Sequence, residues 1–250
     1  MLNHSFWAIV WLINPFQLRP ESDDTRRWVS YFLEERTATT TDALHNARHY
    51  AREFREIFRQ QGLPEDLIWI AFVESGFRGD AVNISGATGM FQFKRGTALA
   101  FGLKVNHTVD ERLDPIASAK AAARYLVYLK EKFATWELVL AAYNLGEGDL
   151  RRTMARQQAT HWNQVRHLVR QQTQDYADKI RAAALIGNDF LHAHPLPAGI
   201  SSVYLVKKGD TLFGISKRFQ VPLSQIMELN HMKDHHLRPG RHLLLPARSP

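Results

Sequence analysis

Apolar residues recur along most of the chain at the spacing of one face of an α-helix. Between residues 24 and 191, turn signals interrupt this periodicity, but no convincing strand pattern does. Thr41-Asp42 can cap a helix that runs through Gln61, with Gly62 at its end. Asp114-Pro115 predicts the start of an alanine-rich helix that runs to about Phe133. Most of the chain is therefore expected to be α-helical.

One segment is unusually apolar. Seven consecutive apolar residues, Leu67 to Val73, immediately precede Glu74. Pro64 suits the first turn of a helix here, and Gly76 suits its end. Helical spacing places three of the apolar residues on the same face as the Glu74 carboxyl group. Further helices are predicted at Trp136 to Tyr143, Asp149 to Arg156 and Thr173 to Leu191.

The pattern changes near the C-terminus. Residues 192–202 contain two prolines, a glycine and two serines, which predicts an extended connector. Beyond it, strand-like runs at Val203 to Val206 and His242 to Leu245 flank two short helical patterns, Leu212 to Phe219 and Leu223 to Asn230. This order predicts a compact βααβ unit near the minimum size for independent folding.

Composition narrows the classes of protein. A chain of 250 residues with 45% hydrophobic content can bury one substantial core and carry a smaller module. The absence of cysteine excludes disulfides, thiol catalysis and thiolate metal sites, but does not fix the compartment. A formal charge of +7 favours anionic partners, whether nucleic acid, anionic lipid or acidic cell-wall polymer. Nucleic acid is not expected, because no zinc-finger spacing or aromatic RNA-binding signature is present.

Residues 1–23 predict a signal-like or anchor segment. Its apolar stretch, Phe6 to Ile13, is too short to span a bilayer. Few positive charges precede the stretch, and no small-x-small cleavage site follows it. Three interpretations stay open: an export signal, an uncleaved anchor at the membrane surface, and an ordinary buried segment.

Glu74 is the leading catalytic candidate. A carboxyl group against an apolar face loses hydration, and here it also lies at the negative end of the helix dipole. Both effects disfavour the anion, so the group should hold its proton as a general acid must. The alternative is an ordinary glutamate that marks where a buried helix reaches water, which is the commoner fate of an acid at a helix end.

Polar and glycine-rich motifs begin at this acid and follow it in the sequence. Each has an ordinary explanation alone, as turn glycines, surface amides or a core tyrosine. Four motifs occur in order: Glu74-Ser75-x-Phe77, Gly86-Ala87-x-Gly89-x-x-Gln92-Phe93, Asp114-Pro115, and Ala142-Tyr143-Asn144-x-Gly146-Glu147-Gly148.

From about Leu63 to Ile180, this order resembles the catalytic domain of the soluble-lytic-transglycosylase superfamily, especially the membrane-bound lytic murein transglycosylase D type. The resemblance implies a lysozyme-like all-α catalytic domain, placed at residues 24–191. It also implies cleavage of the β-1,4 bond between N-acetylmuramic acid and N-acetylglucosamine in peptidoglycan, with Glu74 as the single catalytic acid. The candidate substrate-binding residues are Ser75, Asn83, Gly86, Gly89, Met90, Gln92, Tyr143, Asn144 and Tyr176.

Some positions bear on these assignments individually. The apolar character of Met90 favours packing over a substrate contact. Asn83 stands where the family commonly has serine, and it can still hydrogen-bond an acetamide. Gln172 stands where glutamate is common, which removes a charge near the expected cleft.

Residues 203–246 resemble a LysM domain, a small α+β (βααβ) module. The resemblance implies a shallow groove for N-acetylglucosamine chains, formed by Gly209, Asp210, Thr211, Leu212 and Asn230. No metal or cofactor is predicted, because the four histidines of this module lack zinc-site spacing.

The predicted activity is lytic transglycosylation. Glu74 would protonate the leaving oxygen and then deprotonate the C6 hydroxyl of muramic acid, closing a 1,6-anhydro ring. A hydrolytic muramidase on the same fold and a non-catalytic peptidoglycan-binding scaffold stay open as alternatives. The expected partner is the glycan strand of peptidoglycan, and the protein is expected to be a monomer. Its expected location is the cell envelope, in the periplasm. Peripheral association with the membrane stays open.

Overall fold

The computed structural model describes residues 22–195, 200–207, 209–238 and 242–246. In chain order, the α-helices are α1 (Asp23–Ser30), α2 (Thr37–Gln60), α3 (Ile70–Ser75), α4 (Arg95–Ala100), α5 (Pro115–Lys132), α6 (Trp136–Leu145), α7 (Glu147–Arg156), α8 (Trp162–Val165), α9 (Gln171–Gln174), α10 (Tyr176–Ala193), α11 (Leu212–Phe219) and α12 (Leu223–Leu229). Two strands, β1 (Ile200–Leu205) and β2 (His242–Pro246), pair antiparallel. The predicted mainly α fold with a terminal βααβ unit is confirmed. The predicted signal-like segment lies outside the described residues, apart from its last two positions.

Helix α2 runs through the main hydrophobic core. Phe54 and Phe58 are fully buried, and their rings lie 5.5 and 6.2 Å from that of Phe91. The helix begins at Thr37, four residues before the predicted cap, because a π-helical turn (Tyr31–Glu35) leads almost directly into it. Thr41 and Asp42 are therefore helical residues rather than capping residues.

The apolar segment before Glu74 forms two helical pieces rather than one. Residues Glu65–Trp69 form a 3-10 turn, and α3 follows it directly. As predicted, Gly76 ends α3, with a left-handed φ of 62°. The Gly76 amide donates to the Phe72 carbonyl, and the Phe77 amide reaches back to that of Ala71. This termination fixes the direction in which the last turn of α3 presents Glu74.

Helix α5 begins as its sequence predicts. The Asp114 Oδ1 atom accepts hydrogen bonds from the amides of Ile116 and Ala117, both at 3.0 Å, and Pro115 occupies the first helical position. The last long helix differs from prediction. It is interrupted at Asp175, which separates α9 from α10. The break places Tyr176 in the first turn of α10.

The βααβ unit has its own small core, in which Tyr204, Ile215, Ile226 and Leu243 are buried. The unit also packs on the helical domain, since β1 lies against α2, and Ile116 of α5 contacts both cores. Between the two units, α10 continues to Ala193 and β1 begins at Ile200, and residues 196–199 are not described. The domain boundaries themselves stay a prediction.

A glycine-to-alanine substitution tests the packing of α10 against the Trp69 side chain, which directly precedes α3. A Cβ added at Gly187 of α10 would lie 2.0 Å from the fully buried Trp69 ring. We expect Gly187→Ala to lower the free energy of unfolding by about 1–3 kcal/mol, because the indole must shift in a packed core. The control is Gly96→Ala in α4, where a Cβ meets nothing within 4 Å. Denaturant unfolding should show no loss for the control, and equal losses would contradict this packing.

Candidate active site

Glu74 lies in the last turn of α3, at a cavity of about 660 Å³. The cavity walls come from α1 and the following π turn, the first half of α2, the end of α3, and the α9–α10 region. Three predicted residues meet here, because Ser75 and Tyr176 also line the cavity. Gln172 lies in the same lining, near the acid as the sequence indicated.

The Glu74 carboxyl group is held in an environment that favours its protonated form. Burial raises its pKa to about 7, while a hydrogen bond from the Tyr176 hydroxyl to Oε1 acts in the opposite direction. The glutamate as a whole remains partly exposed, so a ligand in the cavity can reach it. A group with this pKa can both give and accept a proton near neutral pH.

Two tyrosines flank the acid: Tyr176 is fully buried, and Tyr143 is partly buried. Burial and the nearby Glu74 charge hold the pKa values of Tyr143 and Tyr176 well above their ordinary range, so both phenols stay protonated as donors. Tyr176 donates to Glu74 itself. Tyr143 donates instead to the Phe91 carbonyl oxygen, 3.0 Å away. Tyr143 thereby connects the surroundings of the acid to the glycine-containing segment.

Ser75 connects α3 to the same segment. Its Oγ lies 2.9 Å from the Met90 carbonyl oxygen and 3.1 Å from that of Ala71, and it accepts from the Arg78 amide at 3.2 Å. The Met90 side chain is only 1% exposed and packs in the core. Met90 therefore meets Ser75 through its backbone carbonyl oxygen, and its role in substrate binding stays a prediction.

The segment from Gly86 to Phe93, called here the glycine loop, is shaped by its own polar groups. Gly89 has a φ of 80°, and a Cβ there would lie 1.8 Å from the Arg112 carbonyl oxygen, which excludes any side chain. Gln92 donates from Nε2 to the carbonyl oxygens of Gly89 and Ala81, at 2.9 and 3.2 Å. Gly86 has a φ of 78°, also in the left-handed region.

Asn83 and Asn144 are likewise engaged with the protein. The Asn83 Oδ1 atom accepts from the amides of Ser85 and Ala87, which closes the turn before the glycine loop. The Asn144 Oδ1 atom accepts from the Thr173 hydroxyl at 2.7 Å. Asn83, Gly86, Gly89, Gln92, Tyr143 and Asn144 are absent from the lining of the Glu74 cavity, and their roles in substrate binding stay predictions.

Sequence reasoning missed Arg112. Its guanidinium group makes two hydrogen bonds to the Asp110 carboxylate, at 2.9 and 2.7 Å. The same group donates from one NH to the carbonyl oxygens of Gly86 and Phe93, at 3.0 and 3.1 Å. Its side chain is 11% exposed. Arg112 therefore holds the two ends of the glycine loop together, and its place just before Asp114-Pro115 was the available signal.

Sequence reasoning also missed an aromatic wall of the cavity, formed by Trp28, Tyr31 and Phe32. Lys179 lies over the Trp28 ring, with Nζ 4.2 Å from the ring centroid. The signal that could have identified this wall is the clustering of three aromatic residues within positions 28–32, with charged residues on both sides.

The residues predicted to bind glycan in the βααβ unit serve its structure in large part. The Asp210 carboxylate accepts from the Tyr204 hydroxyl and the Lys207 amide, and Thr211 caps α11. Asn230 forms two hydrogen bonds with the backbone of Leu244.

The other two predicted glycan-binding positions differ in exposure. Leu212 is buried, whereas Gly209 is exposed with a φ of 90°. Next to this turn, the Phe213 ring is 66% exposed and offers a flat apolar surface. The glycan-binding roles of all five residues stay predictions.

Comparison with known proteins gives matches to two domain families. Residues 54–165 match the Transglycosylase SLT domain, and residues 204–246 match the LysM domain. The chain is 31% identical over 130 residues to the membrane-bound lytic murein transglycosylase D of Escherichia coli (strain K12). That match covers 52% of this chain and only 28% of the relative. Over 100 residues, the peptidoglycan transglycosylase gp16 of Escherichia phage T7 is 41% identical, covering 39% of this chain and 8% of the relative.

Solved structures show a partial likeness. The lytic transglycosylase Slt of Pseudomonas aeruginosa has a TM-score of 0.45 at 24% identity, covering 67% of this chain and 26% of that chain. The 70 kDa soluble lytic transglycosylase of Escherichia coli has a TM-score of 0.46 at 17% identity, covering 67% of this chain and 33% of that one.

Removing the Tyr176 hydroxyl tests the electrostatics of Glu74. We expect Tyr176→Phe to raise the Glu74 pKa above about 7. In the wild type, the hydrogen bond from Tyr176 stabilises the carboxylate and lowers the pKa; the variant loses this bond but keeps the burial that raises the pKa. The pKa is measured by titrating the glutamate side-chain carbonyl with carbon NMR, using Glu74→Gln to assign the signal. Tyr143→Phe is the control, since that hydroxyl donates to Phe91 and not to the acid. A lower pKa in Tyr176→Phe would contradict the assigned hydrogen bond.

Proposed function

The chain carries an SLT domain followed by a LysM domain, and from this premise we propose that it is a peptidoglycan lytic transglycosylase. Its substrate is the β-1,4 bond between N-acetylmuramic acid and N-acetylglucosamine. The observation that carries the proposal is Glu74, a carboxyl group with a pKa raised to about 7 at the wall of a large cavity.

The reaction uses Glu74 twice. The protonated carboxyl group donates its proton to the glycosidic oxygen, and the bond to the N-acetylglucosamine leaving group breaks. The resulting carboxylate removes the proton from the C6 hydroxyl of muramic acid, whose oxygen attacks C1 and closes a 1,6-anhydro ring. A pKa near neutrality supports both steps, because neither form of the acid is strongly disfavoured.

A single carboxylate suffices when the acetamide of the substrate stabilises the positive charge at C1. Most glycosidases instead use a second carboxylate to attack the sugar or activate water. Asp42 is the only other acid in the described lining of this cavity, and it is exposed. Glu147, the acid of the fourth motif, interacts with Tyr128 and Arg151. These placements support the one-carboxylate scheme.

The LysM domain supplies adhesion to the glycan strands in this proposal. Weak binding by a joined module raises the local concentration of insoluble substrate without adding contacts at the acid. The proposed site of action is the cell envelope, in the periplasm. Among the described residues, no helix combines the length and the apolar character needed to cross a bilayer.

Product analysis of Glu74→Gln tests the reaction. We expect wild-type protein to release anhydromuropeptides from purified peptidoglycan, one water lighter than hydrolysis products by mass spectrometry. Glu74→Gln should lower the rate by about 10²–10⁴-fold while still sedimenting with the wall, because only the transferable proton is lost.

Three results would redirect this assignment. Reducing-end products from wild type would indicate a hydrolytic muramidase, and absence of any soluble product would indicate a binding scaffold. A loss in Asp42→Asn as large as that in Glu74→Gln would indicate chemistry with two carboxylates.

The exposed aromatic ring of the LysM domain tests adhesion. We expect Phe213→Ala to weaken sedimentation with purified peptidoglycan by about three- to tenfold, because sugar rings pack on flat aromatic surfaces. Cleavage of a short soluble glycan fragment should be unchanged, since the Phe213 ring is exposed and does not line the Glu74 cavity. Unchanged sedimentation would exclude this face of the module as the glycan-binding surface.

A further inference from the structure

Besides packing against α2, the LysM domain contacts the turn that precedes α5 through two basic side chains. The Lys207 Nζ atom, on the chain just after β1, donates a hydrogen bond to the Leu113 carbonyl oxygen. The Arg218 Nε atom of α11 lies 3.3 Å from the Asp114 Oδ2 atom. Both basic residues come from the LysM domain, and both partners lie in the Asp114-Pro115 motif or directly before it.

The two contacts use groups that the catalytic domain leaves available. Asp114 caps α5 through Oδ1, which leaves Oδ2 for the Arg218 guanidinium group. The Leu113 carbonyl oxygen lies at the end of a 3-10 turn (Glu111–Leu113), next to the cap. The Lys207 Nζ atom also lies 3.4 Å from the position that a Cβ would take at Gly79, on the segment that follows α3.

The LysM domain holds the Arg218 side chain and the Lys207 backbone in a network of its own. Tyr204 donates to the Asp210 carboxylate at 2.8 Å, and the Lys207 amide donates to the same carboxylate at 2.7 Å. Arg218 donates to the Tyr204 hydroxyl at 3.0 Å. The Arg218 side chain and the backbone at Lys207 are therefore held by the LysM domain itself, which reduces the entropy lost when they contact the catalytic domain.

The contacted turn is the one that carries Arg112. This arginine joins the two ends of the glycine loop, and its carbonyl oxygen lies against Gly89. The loop in turn accepts hydrogen bonds from Ser75 and Tyr143, the neighbours of Glu74. A continuous series of contacts thus leads from the LysM domain through the turn and the loop to the surroundings of the acid.

We propose that Lys207 and Arg218 are positioning residues for cleavage: the LysM domain braces the turn before α5 and thereby the glycine loop beside the acid. The module then contributes to catalysis on any substrate, including fragments too short to benefit from adhesion. The kinetic part of this inference rests on the proposed function.

The test uses the full chain with Lys207→Ala and Arg218→Ala combined. We expect kcat on a soluble fragment of alternating N-acetylglucosamine and N-acetylmuramic acid to fall about tenfold, because small displacements around a catalytic group are costly. Amides of the glycine loop, such as those of Thr88 and Phe93, which bond each other's carbonyl groups at 3.1 Å, should exchange hydrogen faster.

Matched variants separate positioning from loss of charge or of folding. Lys233→Ala removes a positive charge from an exposed site of the same domain and should keep the wild-type kcat and exchange rates. Lys207→Arg combined with Arg218→Lys keeps both donors and should restore most of the lost activity. Asp114→Asn keeps an oxygen for the α5 cap but removes the charge, so its effect should not add to that of Arg218→Ala.

Unfolding curves must show that the double-alanine variant is folded at the assay temperature. Unchanged kcat in that folded variant, or unchanged exchange in the glycine loop, overturns the proposal. An equal fall of kcat in Lys233→Ala also overturns it, because net charge would then explain the effect. The exchange measurement needs no activity, and absence of cleavage by wild type would instead count against the proposed function.

Discussion

The contact between the Glu74 carboxyl group and the Tyr176 hydroxyl is the interaction around which the candidate site is arranged. Burial raises the pKa of the acid, and the phenol limits the rise, so the balance falls near 7. The balance depends on α3 ending at Gly76 and on α10 beginning at Tyr176. Either helix displaced by one residue would turn its side chain away from the other.

A second level of structure keeps the neighbours of the acid in place. Ser75 of α3 and Tyr143 of α6 reach the glycine loop through its carbonyl oxygens, so the loop backbone is tied to both helices. Arg112 closes the loop and forms an ion pair with Asp110. The ion pair offsets the desolvation cost of placing the largely buried guanidinium charge there. Rigid backbone support of this kind is what an enzyme needs to hold a proton donor in position.

Much of the fold and part of the site could be predicted from the sequence. The apolar run before Glu74 predicted a buried helix with an acid at its end, and Asp114-Pro115 predicted the start of α5. The periodicity after residue 203 predicted both helices and both strands of the small unit. The start of α2 was not predicted, because a π-helical turn (Tyr31–Glu35) leads into the helix ahead of the Thr41-Asp42 capping signal. The helix break before Tyr176 was also missed, since exact helix boundaries are the least certain feature of a local pattern.

By itself, the sequence determined the helical character of the chain, the candidate acid and the terminal module, since periodicity, capping residues and motifs are local properties. Only the tertiary structure decided that Tyr176, 102 residues after Glu74, donates to it, and that Arg112 closes the glycine loop. Only the structure brings Lys207 and Arg218 to the turn before α5. These contacts join segments far apart in sequence, so they depend on how the helices pack, which no local pattern encodes.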